Sequence, residues 1–186
     1  GPGGPMLETT PADWRWSVDV NILGVAHGVT SFGPHFVEQG EGYIVNTASE
    51  AGLVTNTALG MYCATKHAVV GLSEALWREV RPQGVGVSVL CPSLVDTKIF
   101  ESERNRPDGV GMTANTAAVM APLREMVSVI GIAPADVADR VHDAVVTDRF
   151  WVFTHELTPV AAGVRFADIE AGRNPTDPYA GLLPEA

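Results

Sequence analysis

The sequence predicts an α/β fold organised on a parallel sheet that is buried on both faces. Residues 43–48 and 85–90 are short apolar runs rich in β-branched side chains, the composition of strands covered on both sides. Between them, residues 60–81 read as one long amphipathic helix. With 186 residues, 46% of them hydrophobic and 18% charged, the chain has the length and composition of one domain with a sizeable core.

Taken in order, residues 1–5 form a glycine/proline loop or linker. Thr10, Pro11 and Asp13 then supply a capping hydroxyl, a first-turn proline and an early acid, so a helix is expected over residues 11–38. Trp14, Val18, Ile22, Val25 and Val29 recur along it at helical spacing. A polar turn at 38–42 releases the chain into the first strand, and residues 50–59 are a loop whose Leu53, Val54 and Leu59 read as an apolar substrate wall. In the long helix, Ala64, Ala68, Leu72 and Leu76 form a stripe opposite Glu74, Arg78 and Arg81. Pro82 to Gly84 ends that helix, and the second strand runs out at Pro92. Residues 98–111 are charged and without period, either a substrate lid or a plain surface loop, and 113–131 look helical, giving a lid region over 98–132. Residues 134–146 are a further amphipathic helix and 149–155 a last strand. The remainder, 156–186, reads as a tail that either wraps a neighbouring subunit or hangs free.

The totals narrow the partners. A formal net charge of -10 disfavours nucleic acid and anionic membranes, both of which reward positive surfaces. No apolar run reaches the roughly 18 residues of a membrane span, and two cysteines, Cys63 and Cys91, without a signal-peptide pattern fit a reducing cytoplasm. Five scattered histidines with no HExxH or CxxC spacing point to no metal site. His67, beside Lys66, is either a base or a packing residue.

The chemistry concentrates in Ser49, Tyr62 and Lys66, spaced thirteen and four residues apart. Tyr62 and Lys66 lie at i and i+4 and so project from one helix face. An ammonium beside a phenol favours the phenolate, so Lys66 is expected to tune Tyr62 as an acid/base. A serine hydroxyl aimed at the same point can bond a carbonyl oxygen that becomes an alkoxide as hydride arrives, and the hydride must come from a cofactor. Thr47 shares a strand face with Ser49 and is the competing hydroxyl.

Four segments stand in a telling order: VNILG at 20–24, IVNTAS at 44–49, YCATK at 62–66 and CPSLVDT at 91–97. In their order and spacing they resemble the short-chain dehydrogenase/reductase family, and the match selects Ser49 over Thr47. The resemblance implies a Rossmann-like doubly wound parallel sheet, with this chain resembling the C-terminal two-thirds of a single such domain. It makes Tyr62 the general acid/base and Ser49 the carbonyl-orienting hydroxyl. Lys66 lowers the pKa of Tyr62 and holds the nicotinamide ribose, and Asn21 holds a water in the proton relay. Tyr62, Lys66, Pro92, Val95 and Thr97 become the contacts to NAD or NADP. Family members usually carry glycine where Ser93 stands. The family's N-terminal cofactor-binding strands and Gly-rich motif are missing, since no GxGxxG or TGxxxG occurs in the 186 residues. The resemblance also implies a homodimer or homotetramer through helices 11–38 and 60–81.

Two classes stay open. One is a cytoplasmic NAD(P)-dependent oxidoreductase that interconverts a secondary alcohol and a ketone, with the isolated fragment inactive. The other is a truncated, inactive fragment acting only through helix-mediated subunit association. Hydrolysis through Ser49 fits poorly, because TASEA at 47–51 is not a GxSxG elbow.

Overall fold

A computed structural model describes residues 3–107 and 114–182. Residues 108–113 of the expected lid and 183–186 of the expected tail lie outside the described residues.

Helix α1, Pro11–Val18, begins as its sequence demands: the Thr10 hydroxyl accepts from the Asp13 N–H while the Asp13 carboxylate accepts from the Thr10 N–H, a reciprocal capping box. The expected single helix continues through a wider π-helical turn at Asp19–Leu23 into α2, Gly24–Gln39. Gly40, at φ 75°, stops it in the left-handed conformation that favours glycine. The periodic residues Trp14, Val18, Ile22, Val25 and Val29 are half-buried along this run.

Strand β1, Gly42–Thr47, pairs in parallel with β2, Val85–Cys91, in a register that sets Gly42 opposite Val85 and Thr47 opposite Leu90. Helix α3, Gly60–Val80, joins them, and Gly84 at φ 81° turns the chain so close to the Gly40 carbonyl that a side chain there would collide with it. Every residue of β2 is buried. Val85 and Val87 face α2 and α3 with Leu76 and Val80, whereas Leu90 faces the opposite side. There it meets Val137, Val141 and Ala144 of α5, Pro134–Val146. Strand β3, Trp151–Phe153, extends the sheet in parallel beyond β2, giving the order β1-β2-β3. The α/β architecture with helices on both sheet faces is therefore as expected.

Three expectations change. The buried face of α3 is Val69, Val70, Ser73, Leu76 and Val80, rotated from the expected stripe; Ala64 is exposed and Ala68 and Leu72 are half-buried. Leu53 and Val54 are 5% and 0% exposed and pack into the core with Val69 and Ala161, so they are not a substrate wall. The stretch read as a tail folds into α6, Leu157–Glu170, whose Ala161 and Ala162 join that core. Small residues and a proline at 159 hid this helix, because its buried face is alanine and threonine rather than a bulky stripe. In its last turn, Asp168 accepts from the Thr176 N–H and hydroxyl and pairs with Arg173, which ties the following segment to the helix end.

Within the segment expected as a lid, Lys98–Asn105 forms 3-10 turns and α4 spans Ala114–Ile130. Arg106 is buried against α1, ion-paired with Asp13 and stacked 5.0 Å over the Trp16 ring. A groove of about 650 Å³ separates the 98–105 turns from α4, with Phe100, Met120 and Arg124 on its walls.

Candidate active site

The carboxyl ends of β1 and β2 converge where an open α/β sheet leaves a crevice. β1 ends at Thr47, and Ser49, extended at φ -176°, caps a 3-10 turn at Glu50–Gly52 by accepting the Ala51 N–H at 3.1 Å. Its hydroxyl donates to the Pro92 carbonyl at 3.3 Å and lies near enough to the Tyr62 phenol to draw that group's pKa down. Pro92 also accepts the Glu50 N–H at 2.8 Å, so the end of β2 holds the Ser49 turn through one carbonyl.

Tyr62 and Lys66 stand on the first turns of α3. The Lys66 ammonium lies 5.7 Å from the Tyr62 ring centroid and donates to the Thr47 carbonyl at 3.0 Å. Thr47 therefore enters through its backbone carbonyl, and the residue itself is exposed. Gly52 lets the turn lie directly on α3: a Cβ there would come within 2.7 Å of the Lys66 carbonyl and 2.9 Å of Val70.

Asn21 sits within the π-helical turn of the first helical run, a feature that re-aims side chains. Its amide donates to the Thr65 hydroxyl at 3.0 Å, and that hydroxyl donates to the Tyr62 carbonyl at 2.8 Å. Asn21 thus reaches the Tyr62 turn through Thr65, a link with no sequence signal beyond proximity to the YCATK segment. After β2, Val95 forms a parallel bridge with Ile132, using the Leu94 carbonyl and the Asp96 N–H. By strand alternation the N–H and C=O of Val95 itself face away from that bridge. The Thr97 hydroxyl is turned to the Ile99 N–H at 3.4 Å, in an exposed position.

Electrostatics differ from the expectation in one respect. Burial pushes the Tyr62 phenol above its ordinary value of 10.0; the Ser49 hydrogen bond pulls it down and Cys63 pushes it up. Lys66 does not depress it here. Instead burial lowers the Lys66 ammonium to about 8. Charge is costly to both groups in the same desolvated crevice, and each waits for a partner. Burial also raises the Cys91 thiol to about 12, which leaves it an inert core group. His67 turns Nδ1 to the Cys63 carbonyl at 2.9 Å, a packing arrangement.

Sequence reasoning missed a polar group behind Ser49. The Glu50 carboxylate accepts hydroxyls from Thr158 on α6 and from Tyr179, so the C-terminal segment reaches the crevice. Its only signal was three polar residues in apolar or proline-rich surroundings, too common a pattern to single out.

A family model described as short chain dehydrogenase matches residues 1–108. The chain is 30% identical over 91% of its length to 1-deoxy-11-beta-hydroxypentalenate dehydrogenase of Streptomyces avermitilis, covering 57% of that protein. It is 35% identical over 58% of its length to C alpha-dehydrogenase of a Sphingobium strain, covering 36% of it. Among solved structures, a short chain dehydrogenase/reductase from Burkholderia phymatum in complex with NAD is 39% identical, with a TM-score of 0.90, over 100% of this chain and 66% of that one. A short chain dehydrogenase from Burkholderia cenocepacia in complex with NADP shares the fold at 23% identity and a TM-score of 0.67. The chain thus spans 36% and 57% of these two curated relatives. With the family model covering more than half of it, this chain belongs to the short chain dehydrogenase family.

Proposed function

We propose that the complete protein is an NAD(P)-dependent oxidoreductase interconverting a secondary alcohol and a ketone, with Tyr62 as general acid/base. The observation that carries this reading is the convergence of the Ser49 turn on the first turns of α3, where Gly52 lies against the Lys66 backbone and the Lys66 ammonium, 5.7 Å from the Tyr62 ring centroid, reaches the Thr47 carbonyl. When bound, the nicotinamide supplies the hydride acceptor or donor. The residues present suit its nicotinamide-ribose end. Lys66 has ammonium protons to spare beyond its bond to Thr47, and Val95 keeps backbone groups turned away from Ile132. In this reading Lys66 holds the ribose, while Pro92, Val95 and Thr97 border the carboxamide.

In the reduction direction Ser49 and Tyr62 both donate to the substrate carbonyl oxygen, and Tyr62 gives up its proton as that oxygen gains negative charge. The Lys66 charge then stabilises the phenolate, and a water held at Asn21 returns a proton. Lys66, poised near 8, takes part in that return at neutral to mildly alkaline pH. The desolvation that makes Tyr62 a reluctant anion keeps it protonated until the alkoxide forms.

Association through the helices accompanies this chemistry. Ala64, Gly71 and Ala75 are exposed on α3 and half-buried Ala68 lies among them; Val20, Leu23 and Phe32 are exposed on the first helical run. Small residues beside large ones let a second copy approach closely, in a homodimer or homotetramer. Both cysteines are buried and unpaired, in keeping with a cytoplasmic enzyme. Among the described residues no helix is long and apolar enough to cross a membrane.

The test is a panel of ketones with NADH and NADPH, run on a polypeptide that includes a glycine-rich phosphate turn. Tyr62→Phe is expected to lower reductase activity by about 10²–10⁴-fold while nucleotide binding persists. Undiminished activity in that variant would remove the acid/base assignment.

A further inference from the structure

We propose that Tyr179, acting with Thr158 through the Glu50 carboxylate, is a positioning residue that fixes the Ser49–Tyr62 loop from the C-terminal segment. The inference rests on the functional reading above. Residues 50–59 connect Ser49 to the first turn of α3, and their conformation decides whether the two hydroxyls meet. Glu50 immediately follows Ser49. Its N–H is held by the Pro92 carbonyl at 2.8 Å, and its two carboxylate oxygens accept one hydroxyl each, from Thr158 and Tyr179. Thr158 is fully buried, so its hydroxyl is a fixed donor. The Tyr179 hydroxyl also faces the Asn56 side chain, and the Asn56 backbone carbonyl accepts the Leu59 N–H at 3.3 Å just before α3 begins. One phenol thereby touches both halves of the loop that separates the paired hydroxyls.

The arrangement is costly unless it positions something. A carboxylate drawn into this half-buried site gives up water for its two hydroxyl partners. Burial and the Glu50 charge push the Tyr179 phenol well above its usual range, so it remains a donor at every working pH. The titratable groups around Tyr179 are Glu50 and Asp177, and those around Tyr62 are Cys63 and Lys66. None of them lies on α6, so the polar contribution of α6 to the clamp is the Thr158 hydroxyl, beside the packing of Ala161 and Ala162 against Leu53 and Val54. If the clamp opens, the Ser49 hydroxyl no longer points steadily at Tyr62, and the phenol loses the hydrogen bond that pulls its pKa down.

In the complete protein, Tyr179→Phe is expected to lower kcat for alcohol oxidation about tenfold, a loss typical of slight misalignment, with affinity for the oxidised nucleotide changed less than about twofold. The alkaline pH midpoint of kcat should move upward, because oxidation needs the Tyr62 phenolate and that anion has lost its Ser49 donor. Glu50→Ala should behave alike. Glu50→Gln, whose amide oxygen still accepts one hydroxyl, should restore most of the rate. Unchanged kcat and pH midpoint in Tyr179→Phe and Glu50→Ala would overturn the proposal. So would a fall in kcat with an unmoved midpoint and no recovery in Glu50→Gln, the pattern of a smaller folded fraction. Should Tyr179→Phe fail to fold, Thr158→Val puts the same question from α6, with the same two outcomes. Tyr62→Phe serves as the parallel control: if it is inactive while Tyr179→Phe is normal, only the clamp falls, whereas an active Tyr62→Phe removes the functional reading itself.

Discussion

Lys66 and Tyr62 share a crevice in which both resist ionisation, and that shared cost has a measurable sign. The folded chain binds the Lys66 proton less tightly, with a pKa of about 8 against 10.5 for the free side chain. Between those values the unfolded chain holds more protons, so the contribution of Lys66 to stability rises with pH across that window and is most unfavourable below it. Tyr62, Cys63 and Cys91 are shifted upward and act in the opposite sense at alkaline pH, so the comparison of wild type with Lys66→Met isolates the lysine. The nucleotide-free variant is expected to be more stable at pH 7 by on the order of 1 kcal/mol after solvent screening, with the advantage shrinking as pH passes 8. Thermal unfolding of both proteins at pH 7 and 9.5 measures it; a less stable variant at pH 7 would contradict it. The identities of Ser49, Tyr62 and Lys66 were legible because a sequence interval and an i,i+4 pair are one-dimensional signals. The direction of the Tyr62 shift was not, because it depends on how much water the folded crevice excludes.

At the level of elements, contact between the Glu50–Gly52 turn and α3 brings the hydroxyls together. Gly52 permits that contact, since its Cβ would overlap the Lys66 carbonyl. Gly52→Ala is expected to separate the turn from α3 and destabilise the protein by about 1–3 kcal/mol, with a lower kcat, as overpacking against backbone does. Urea unfolding and steady-state rates check it, and wild-type values for both would show that the turn has room to move. A second seam joins the segment after Lys98–Asn105 to α1, where Arg106 is buried against Asp13 and Trp16. Burial raises the Asp13 carboxyl, but the Thr10 hydrogen bonds and the Arg106 charge outweigh it and hold the carboxyl below its usual value. The stability it contributes is therefore present above the ordinary carboxylate range and is lost as pH falls through the lowered value. Asp13→Ala removes the ion pair between Arg106 and α1 and uncaps that helix, at an expected cost of about 2–4 kcal/mol in chemical unfolding. A cost below 1 kcal/mol would mean that water reaches Arg106. Helices α1, α3 and α5 could be read from caps and periodicity. The π-helical turn at Asn21 and helix α6 could not: the first leaves no compositional mark, and the second buries Thr158, Ala161, Ala162 and Asp168, whose helical signal is faint.

At the level of the whole molecule, three parallel strands with α2, α3 and α6 on one face and α5 on the other make the doubly wound plan. β1 lies at one edge of this sheet, beside a groove of about 400 Å³ lined by Val25, Val29 and Ile44 among others. The parallel sheet was readable from the alternation of apolar runs and helices, because burial on both faces removes polar alternation from a strand; the order of its strands was not. The polar ties between distant segments, Glu50 to Tyr179 and Asp13 to Arg106, were not readable. They join residues 129 and 93 positions apart, and no local pattern records such a pairing.

The most direct measurement of the central claim is a crystal structure of the complete protein with oxidised nicotinamide nucleotide and a ketone inhibitor. The account predicts the ketone oxygen within about 2.6–3.2 Å of both the Ser49 and Tyr62 hydroxyls, with the Lys66 ammonium turned toward the ribose. A carbonyl bound away from either hydroxyl, or Lys66 directed to bulk water in that loaded state, would contradict it.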